Sequence, residues 1–180
     1  MPTEHEFKYV IDSGLLTDHP ESAIAAVASK HIEISQGYLA FSKGMSCRIR
    51  SATMPGKKTR WYFTFKQKVS SRVIEIEKKI NQRDGEELWP MCVGKLKKDR
   101  YELRQGDLCW ELDLFKKDNG LYFLMAEVEL PEGHPRPKNV HPLLKNYVRF
   151  EVPLTDDRFS NKKLGDVEYA QRLYLEFAGK

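Results

Sequence analysis

The chain has 180 residues, of which 31 % are charged, and a formal net charge of +4 at pH 7. That length serves one buried core and is short for two. The mild positive excess favours an anionic ligand over a nucleic-acid partner, whose sites carry a far stronger basic bias. Cys47, Cys92 and Cys109 are odd in number and lack metal-type spacing, which argues against a disulfide framework or zinc site and for a reducing, cytoplasmic setting. No apolar run reaches membrane-spanning length and the N-terminus enters directly into strand pattern, so a soluble protein with no membrane partner is expected.

Period-two alternation, rich in Val, Ile, Tyr, Phe and Trp, predicts strands over Thr3–Ile11, Ile32–Phe41, Met45–Ala52, Arg60–Lys68, Arg72–Ile80, Lys97–Arg104, Asp107–Lys116 and Leu121–Leu130. Turns at Ser42-Lys43-Gly44, Met54-Pro55-Gly56, Gln105-Gly106 and Asp118-Asn119-Gly120 join them as sequential, antiparallel neighbours. Eight such strands are enough to close a barrel. A helix capped by Thr17 or Asp18, with Pro20 in its first turn, is expected to run to about Lys30. Asp84 caps a second near Glu86–Val93, shortened or bent by Pro90. A last helix is predicted over 166–177, where Val167, Ala170, Leu173, Tyr174 and Phe177 share a stripe. The Pro-rich stretch from Pro131 to Pro142 reads as a surface connection, followed by a short ninth strand over Val148–Val152.

Seven strands carry ionisable residues two apart: Glu4/Glu6 with Lys8, Arg48/Arg50, Lys66/Lys68, Glu75/Glu77, Lys98/Arg100, Glu111/Asp113 and Glu127/Glu129. Side chains at i and i+2 leave one face of the sheet, so each set is a two-pronged fork. If the forks faced outward in a closed sheet, the amphipathic helices would have no apolar sheet face to pack on. If they face inward, the outer face becomes Phe7, Tyr9, Ile11; Trp61, Phe63, Phe65; Ile74, Ile76; Trp110, Leu112, Leu114; and Tyr122, Leu124, Val128, which helices can cover. The fold class expected is therefore a mainly β, closed eight-stranded antiparallel barrel with a charged lumen. Buried charges survive only when paired, hydrated or bound to metal. Basic prongs suit phosphate oxygens, and carboxylates share a site with phosphate when divalent cations lie between them. The rings of Trp61–Lys68 fall on the face opposite the charges, which disfavours single-stranded nucleic acid as a ligand. His5 turns outward, and the other histidines form no ligand-like set.

The opening Glu4-His5-Glu6-Phe7-Lys8 is an E-x-E-x-K signature. It is followed in order by Arg48-Ile49-Arg50, Phe65-Lys66, Glu75-Ile76-Glu77, Lys98-Asp99-Arg100, Glu111-Leu112-Asp113 and Glu127-Val128-Glu129. With Gln36-Gly37-Tyr38-Leu39, Leu88-Trp89-Pro90 and the stretch Val152 to Leu164, which contains Thr155 to Asn161, these motifs span almost the whole chain, which resembles the CYTH superfamily of triphosphate tunnel metalloenzymes and, within it, the small bacterial inorganic triphosphatases.

The resemblance implies one CYTH domain over 1–180 that hydrolyses a linear triphosphate with Mg2+ or Mn2+. By the same resemblance Lys8, Arg48, Arg50, Lys66, Lys98 and Arg100 hold phosphate oxygens, and Glu4, Glu6, Glu127 and Glu129 bind metal with Glu111 and Asp113 beside them. Glu75 and Glu77 match less well, and Lys68 and Arg149 receive no role. Lys8, or else Lys98, is expected to protonate the departing oxygen, with a pKa depressed among other cations. The partner expected is a small-molecule triphosphate, and a homodimer is the assembly to test. Thiamine triphosphatase and class IV adenylate cyclase chemistry need the same forks and stay open. So does a non-catalytic binder of polyphosphate or nucleotide, although such a binder has no need of so many carboxylates.

Overall fold

The computed structural model describes residues 4–39, 45–69, 72–118, 120–131 and 133–177, without the side chains of Glu4, His5, Lys68, Arg72 and Val73. The expected turn at Ser42-Lys43-Gly44, the strand ends at Thr3 and Phe41, and Asn119 lie outside the described residues. The protein is mainly antiparallel β. Its strands are β1 (Glu4–Ile11), β2 (Lys30–Leu39), β3 (Met45–Thr53), β4 (Arg60–Val69), β5 (Arg72–Ile80), β6 (Gly94–Gln105), β7 (Leu108–Lys117), β8 (Gly120–Pro131) and β9 (Val148–Val152). They follow the order β5-β4-β3-β2-β6-β7-β8-β1-β9. The eight-strand ring expected from the sequence is thus a ladder of nine whose ends, among the described residues, are β5 and β9. Each strand has two edges, and β1 gives one to β8 and the other to β9. No helix among the described residues is long and apolar enough to cross a membrane.

Contacts divide the chain into two compact units, Met1–His31 with Asp99–Lys180, and Ile32–Lys98. In the first, β1, β7 and β8 pair so that Phe7 and Trp110 both oppose Val128, and Tyr9 and Leu112 both oppose Ala126. With Ile11, Tyr101, Leu103, Leu114 and Leu124 they make one apolar face. It is covered by Leu15 of helix α1 (Gly14–Asp18), Ile24 of α2 (Glu21–Val27) and Leu144, all buried. This is the helix-covered outer face that the alternation predicts. The helix expected from a Thr17 or Asp18 cap to about Lys30 is α2, which starts one residue after Pro20, itself the extended N-cap (φ −59°, ψ 154°), and stops at Val27; α1 before it was not expected, and it ends at His19, which the following proline keeps extended. Tyr122 leaves the predicted apolar face. Beyond the register shift at Phe115/Lys116 it packs on the Phe115 ring and donates to the Leu164 carbonyl at 3.0 Å.

The second unit contains β3 between β2 and β4, with β5 beyond β4. Gly56 takes the positive φ (68°) that the β3–β4 turn needs. Helix α3 (Gln82–Leu88) is capped by Asn81, whose Oδ1 accepts from the Asp84 amide at 2.9 Å; the Asp84 cap read from the sequence is this neighbour's partner. Gly85 lies flat on the Trp61 indole, where a Cβ would stand 2.3 Å from a ring carbon. Away from Trp61 the cover is incomplete, and Ile74 and Ile76 stay half-exposed. Here the expectation of a fully covered apolar face fails, because α3 is two turns long and reaches only the Trp61 end.

Candidate functional site

Each unit carries a fork face opposite its apolar face. In the first unit, Lys8 on β1 faces Glu127 on β8, Glu127 faces Glu111 on β7, and Arg100 rises from β6 among them. Arg100 grips Asp113 through two parallel bonds, Nε to Oδ1 and Nη2 to Oδ2, both 2.7 Å. Its remaining N–H groups reach Glu111 and, at 3.2 Å, Glu127. Lys8 Nζ bridges Glu127 and Glu6, the latter at 2.5 Å. Asp113 is fully buried and Glu127 is 2 % exposed, so these are desolvated ions held only by their partners. The structure therefore gathers Glu6, Lys8, Arg100, Glu111, Asp113 and Glu127. Glu129 stands opposite Glu6 and is exposed, Lys98 is buried on β6, and the Glu4 side chain lies outside the described residues.

Electrostatics separates these groups. Burial alone would lower the Lys8 pKa, but the Glu127 and Glu6 carboxylates outweigh it and raise it well above the ordinary lysine value. This reverses the sequence expectation of a depressed Lys8, because its nearest neighbours are carboxylates and not cations. Arg100 likewise loses to burial less than it gains from Asp113, Glu127 and Glu111. Glu6 goes the other way: desolvation, then the neighbouring Glu127 charge, raises its pKa against the pull of Lys8. Four carboxylates (Glu6, Glu111, Asp113, Glu127) confront two cations (Lys8, Arg100), so the fully ionised face has an excess of negative charge.

That donor set fits a hard divalent cation, which takes carboxylate oxygens and water. Among the described residues no three His, Cys, Asp or Glu side chains already stand as a metal-ligand group. The carboxylates are turned instead into ion pairs with Arg100 and Lys8.

Further along the same face the ionisable residues give way to Val10, Phe115, Phe123, Met125 and Phe150. Phe123 meets Phe159 and Tyr174, and Phe177 stacks on Phe150 with centroids 4.1 Å apart. The C-terminal helix α5 (Val167–Leu175), preceded by the short α4 (Asn161–Leu164), thus seals the apolar end of the fork face in its own unit. On the opposite face His31, one of the histidines that form no ligand-like set by sequence, stacks on Tyr101 and bonds Asp99 at 3.0 Å, while Lys116 joins Asp99 to Glu21 of α2.

In the second unit the cross-strand rows are Gln36–Arg50–Tyr62–Lys79, Tyr38–Arg48–Thr64–Glu77 and Ser46–Lys66–Glu75. Glu77 accepts from Arg50 at 2.9 Å, Arg48 at 3.2 Å and Thr64 at 2.8 Å. Lys66 pairs with Glu75 at 2.8 Å across half-exposed surface. Two of these residues escape the sequence reading. Thr64 is buried and neutral, so no charge pattern marks it; Tyr62 belongs to the charged face, where the Arg50 guanidinium lies 5.0 Å from its ring centre. The rings of β4 are therefore not all opposite the charges, a point that strict alternation from Arg60 would have given.

No protein-family model matches the chain, and no curated protein matches it by sequence. Solved structures do. The hypothetical protein NE1496 is 22 % identical over 91 % of this chain and 97 % of its own, with a TM-score of 0.52. The Hippeastrum protein HpAC1, described as an adenylyl cyclase candidate with a dominant triphosphatase activity, is 18 % identical over 71 % of this chain and 80 % of its own, at 0.53. The PH1012 protein of Pyrococcus horikoshii OT3 is 17 % identical over 74 % and 81 %, at 0.51. These likenesses are of fold, and they agree with the mainly antiparallel β architecture expected from the sequence.

Proposed function

We propose that the protein is a divalent-metal-dependent triphosphatase that cleaves a phosphoanhydride bond of a linear triphosphate, with inorganic tripolyphosphate as substrate. The observation that carries this reading is the pair of buried carboxylates, Asp113 and Glu127, set against Arg100 and Lys8 on one strand face. A fold needing only stability gains little from such ions, since apolar residues of similar volume serve as well or better. A face that must alternate between ion pairs and a metal–polyanion complex requires them.

In this reading Glu6, Glu111, Asp113 and Glu127, with Glu4 and Glu129, hold Mg2+ or Mn2+. When bound, the metal supplies charge neutralisation at the phosphoryl group and acidifies an attacking water. Arg100 and Lys8 are the phosphate-binding groups on the fork face of the first unit; Arg48, Arg50, Lys66 and Lys98 are those of the second unit, taken by itself. Lys8, which bridges Glu6 and Glu127, stabilises the negative charge that develops on a phosphate oxygen. Catalysis then rests on positioning and electrostatic stabilisation of the phosphoryl transition state. The likeness in fold to HpAC1, whose own description names a triphosphatase activity, supports this class of chemistry. Purified protein is to be incubated with tripolyphosphate, ATP, thiamine triphosphate and pyrophosphate, with and without Mg2+ or Mn2+, while phosphate and cyclic AMP are measured. Metal-dependent phosphate release from tripolyphosphate is expected; cyclic AMP formation or a preference for thiamine triphosphate overturns the substrate assignment.

A further inference from the structure

Glu77 occupies the position that an anion held by the β3 guanidiniums would take. Its Oε1 accepts from Arg50 and its Oε2 from both Arg48 and Thr64. Arginine uses the same planar N–H fork for carboxylate and phosphate, so a carboxylate held this way imitates one phosphate group. Burial alone would raise the Glu77 pKa; the Thr64 hydroxyl and the two arginines outweigh it and hold the pKa below the ordinary carboxylate value. Glu77 therefore stays ionised and in place. Its side chain is still 34 % exposed, so a dissolved anion can reach it. Arg48 also keeps a buried Nε–H that has no hydrogen-bond partner among the described residues, a donor the carboxylate does not use.

We propose that Glu77 is an internal competitor for the phosphate seat formed by Arg48 and Arg50, displaced when a phosphate oxygen arrives and returning as product leaves. The proposal rests on the reading of these arginines as phosphate-binding groups and deepens it. Displacing one internal ligand costs the same whichever anion does it. Orthophosphate has little else to offer, so the cost keeps it off the seat. A triphosphate brings further oxygens for cations such as Lys66, on the same face, and these contacts offset the cost. Glu77 thus weakens both anions by the same factor and leaves their ratio unchanged, so that the triphosphate, with its further contacts, still takes the seat at a concentration where orthophosphate does not. The exchange is one of ion pairs alone; no covalent bond forms or breaks.

The test is metal-free binding of orthophosphate and of tripolyphosphate to the full chain, by calorimetry, for wild type, Glu77→Gln, Arg48→Ala and Glu87→Gln. Glu87 lies exposed on α3 beside Arg83, so Glu87→Gln changes net charge equally without touching the seat. Glutamine accepts from arginine only as a neutral group, and charge-assisted bonds are about twice as strong. Glu77→Gln is expected to tighten both anions by a common factor of about ten, and Glu87→Gln to leave them within about twofold. If Glu77→Gln binds no more tightly, or Glu87→Gln reproduces its gain, the proposal is overturned. If Arg48→Ala abolishes tripolyphosphate binding while Glu77→Gln changes nothing, the competitor fails and the phosphate seat stands; if Arg48→Ala has no effect on binding, both fail. Should Glu77→Gln not fold by circular dichroism, Glu77→Asp, which withdraws the carboxylate by one methylene, is expected to tighten both anions in the same sense.

Discussion

Arg100 gathers most of the buried charge of the first unit, and the side chains around it are expected to separate stability from activity. Asp113 is fully buried and doubly bonded to that guanidinium, so Asp113→Asn leaves a desolvated cation short of its partner. We expect a loss of about 3 kcal/mol, read from urea unfolding. Glu6 is nearly half-exposed, paired with Lys8 and set beside the like charge of Glu127, so Glu6→Gln is expected to cost under about 1 kcal/mol while removing metal-dependent turnover. Stability equal in both variants would contradict the assignment of burial. Glu77 gives a pH signature of its own. Its folded pKa lies below the ordinary 4.5, so its contribution is complete above 4.5 and disappears as pH falls through the depressed value. Urea midpoints of wild type and Glu77→Gln are therefore expected to differ by a constant amount above pH 4.5 and to converge in stronger acid.

At the scale of elements, α5 owes its start to Asp166, whose carboxylate accepts from the Tyr169 amide at 3.0 Å. Asp166→Ala is expected to lower thermal stability by about 1 kcal/mol. Phe159, fully buried among Phe123, Phe150 and Phe177, is expected to cost about 3 kcal/mol or more when cut to alanine. A far smaller loss would mean that the helix does not seal this end of the face. The strands were legible because alternation is a strong signal: β5 and β9 have the predicted bounds, and β1, β3, β4, β7 and β8 differ by a residue or so. Of the helices, α2, α3 and α5 were legible with displaced ends, while the one-turn α1 and α4 are too short to leave a periodic signal. Pro20 and Asn81 decide where α2 and α3 begin, and both compete with neighbouring residues that make equally good caps on paper.

For the molecule as a whole, the sequence marks which residues share a face, but not which partner each one takes. Lys8 reads as a cation among cations; folding sets it against Glu127 and Glu6, and its pKa moves the opposite way. Glu77 reads as a poor motif match; folding makes it the common acceptor of two arginines. Strand register creates both facts, and register is not written in the charge pattern. In the function proposed, the carboxylate face of the first unit works through a divalent cation on a triphosphate. The most direct test is the rate of phosphate release from tripolyphosphate as Mg2+ is added to wild type and to folded Glu6→Gln. Release is expected to rise from nothing with metal in wild type and to stay near zero in the variant; release without metal, or full activity in Glu6→Gln, rules the metal role out.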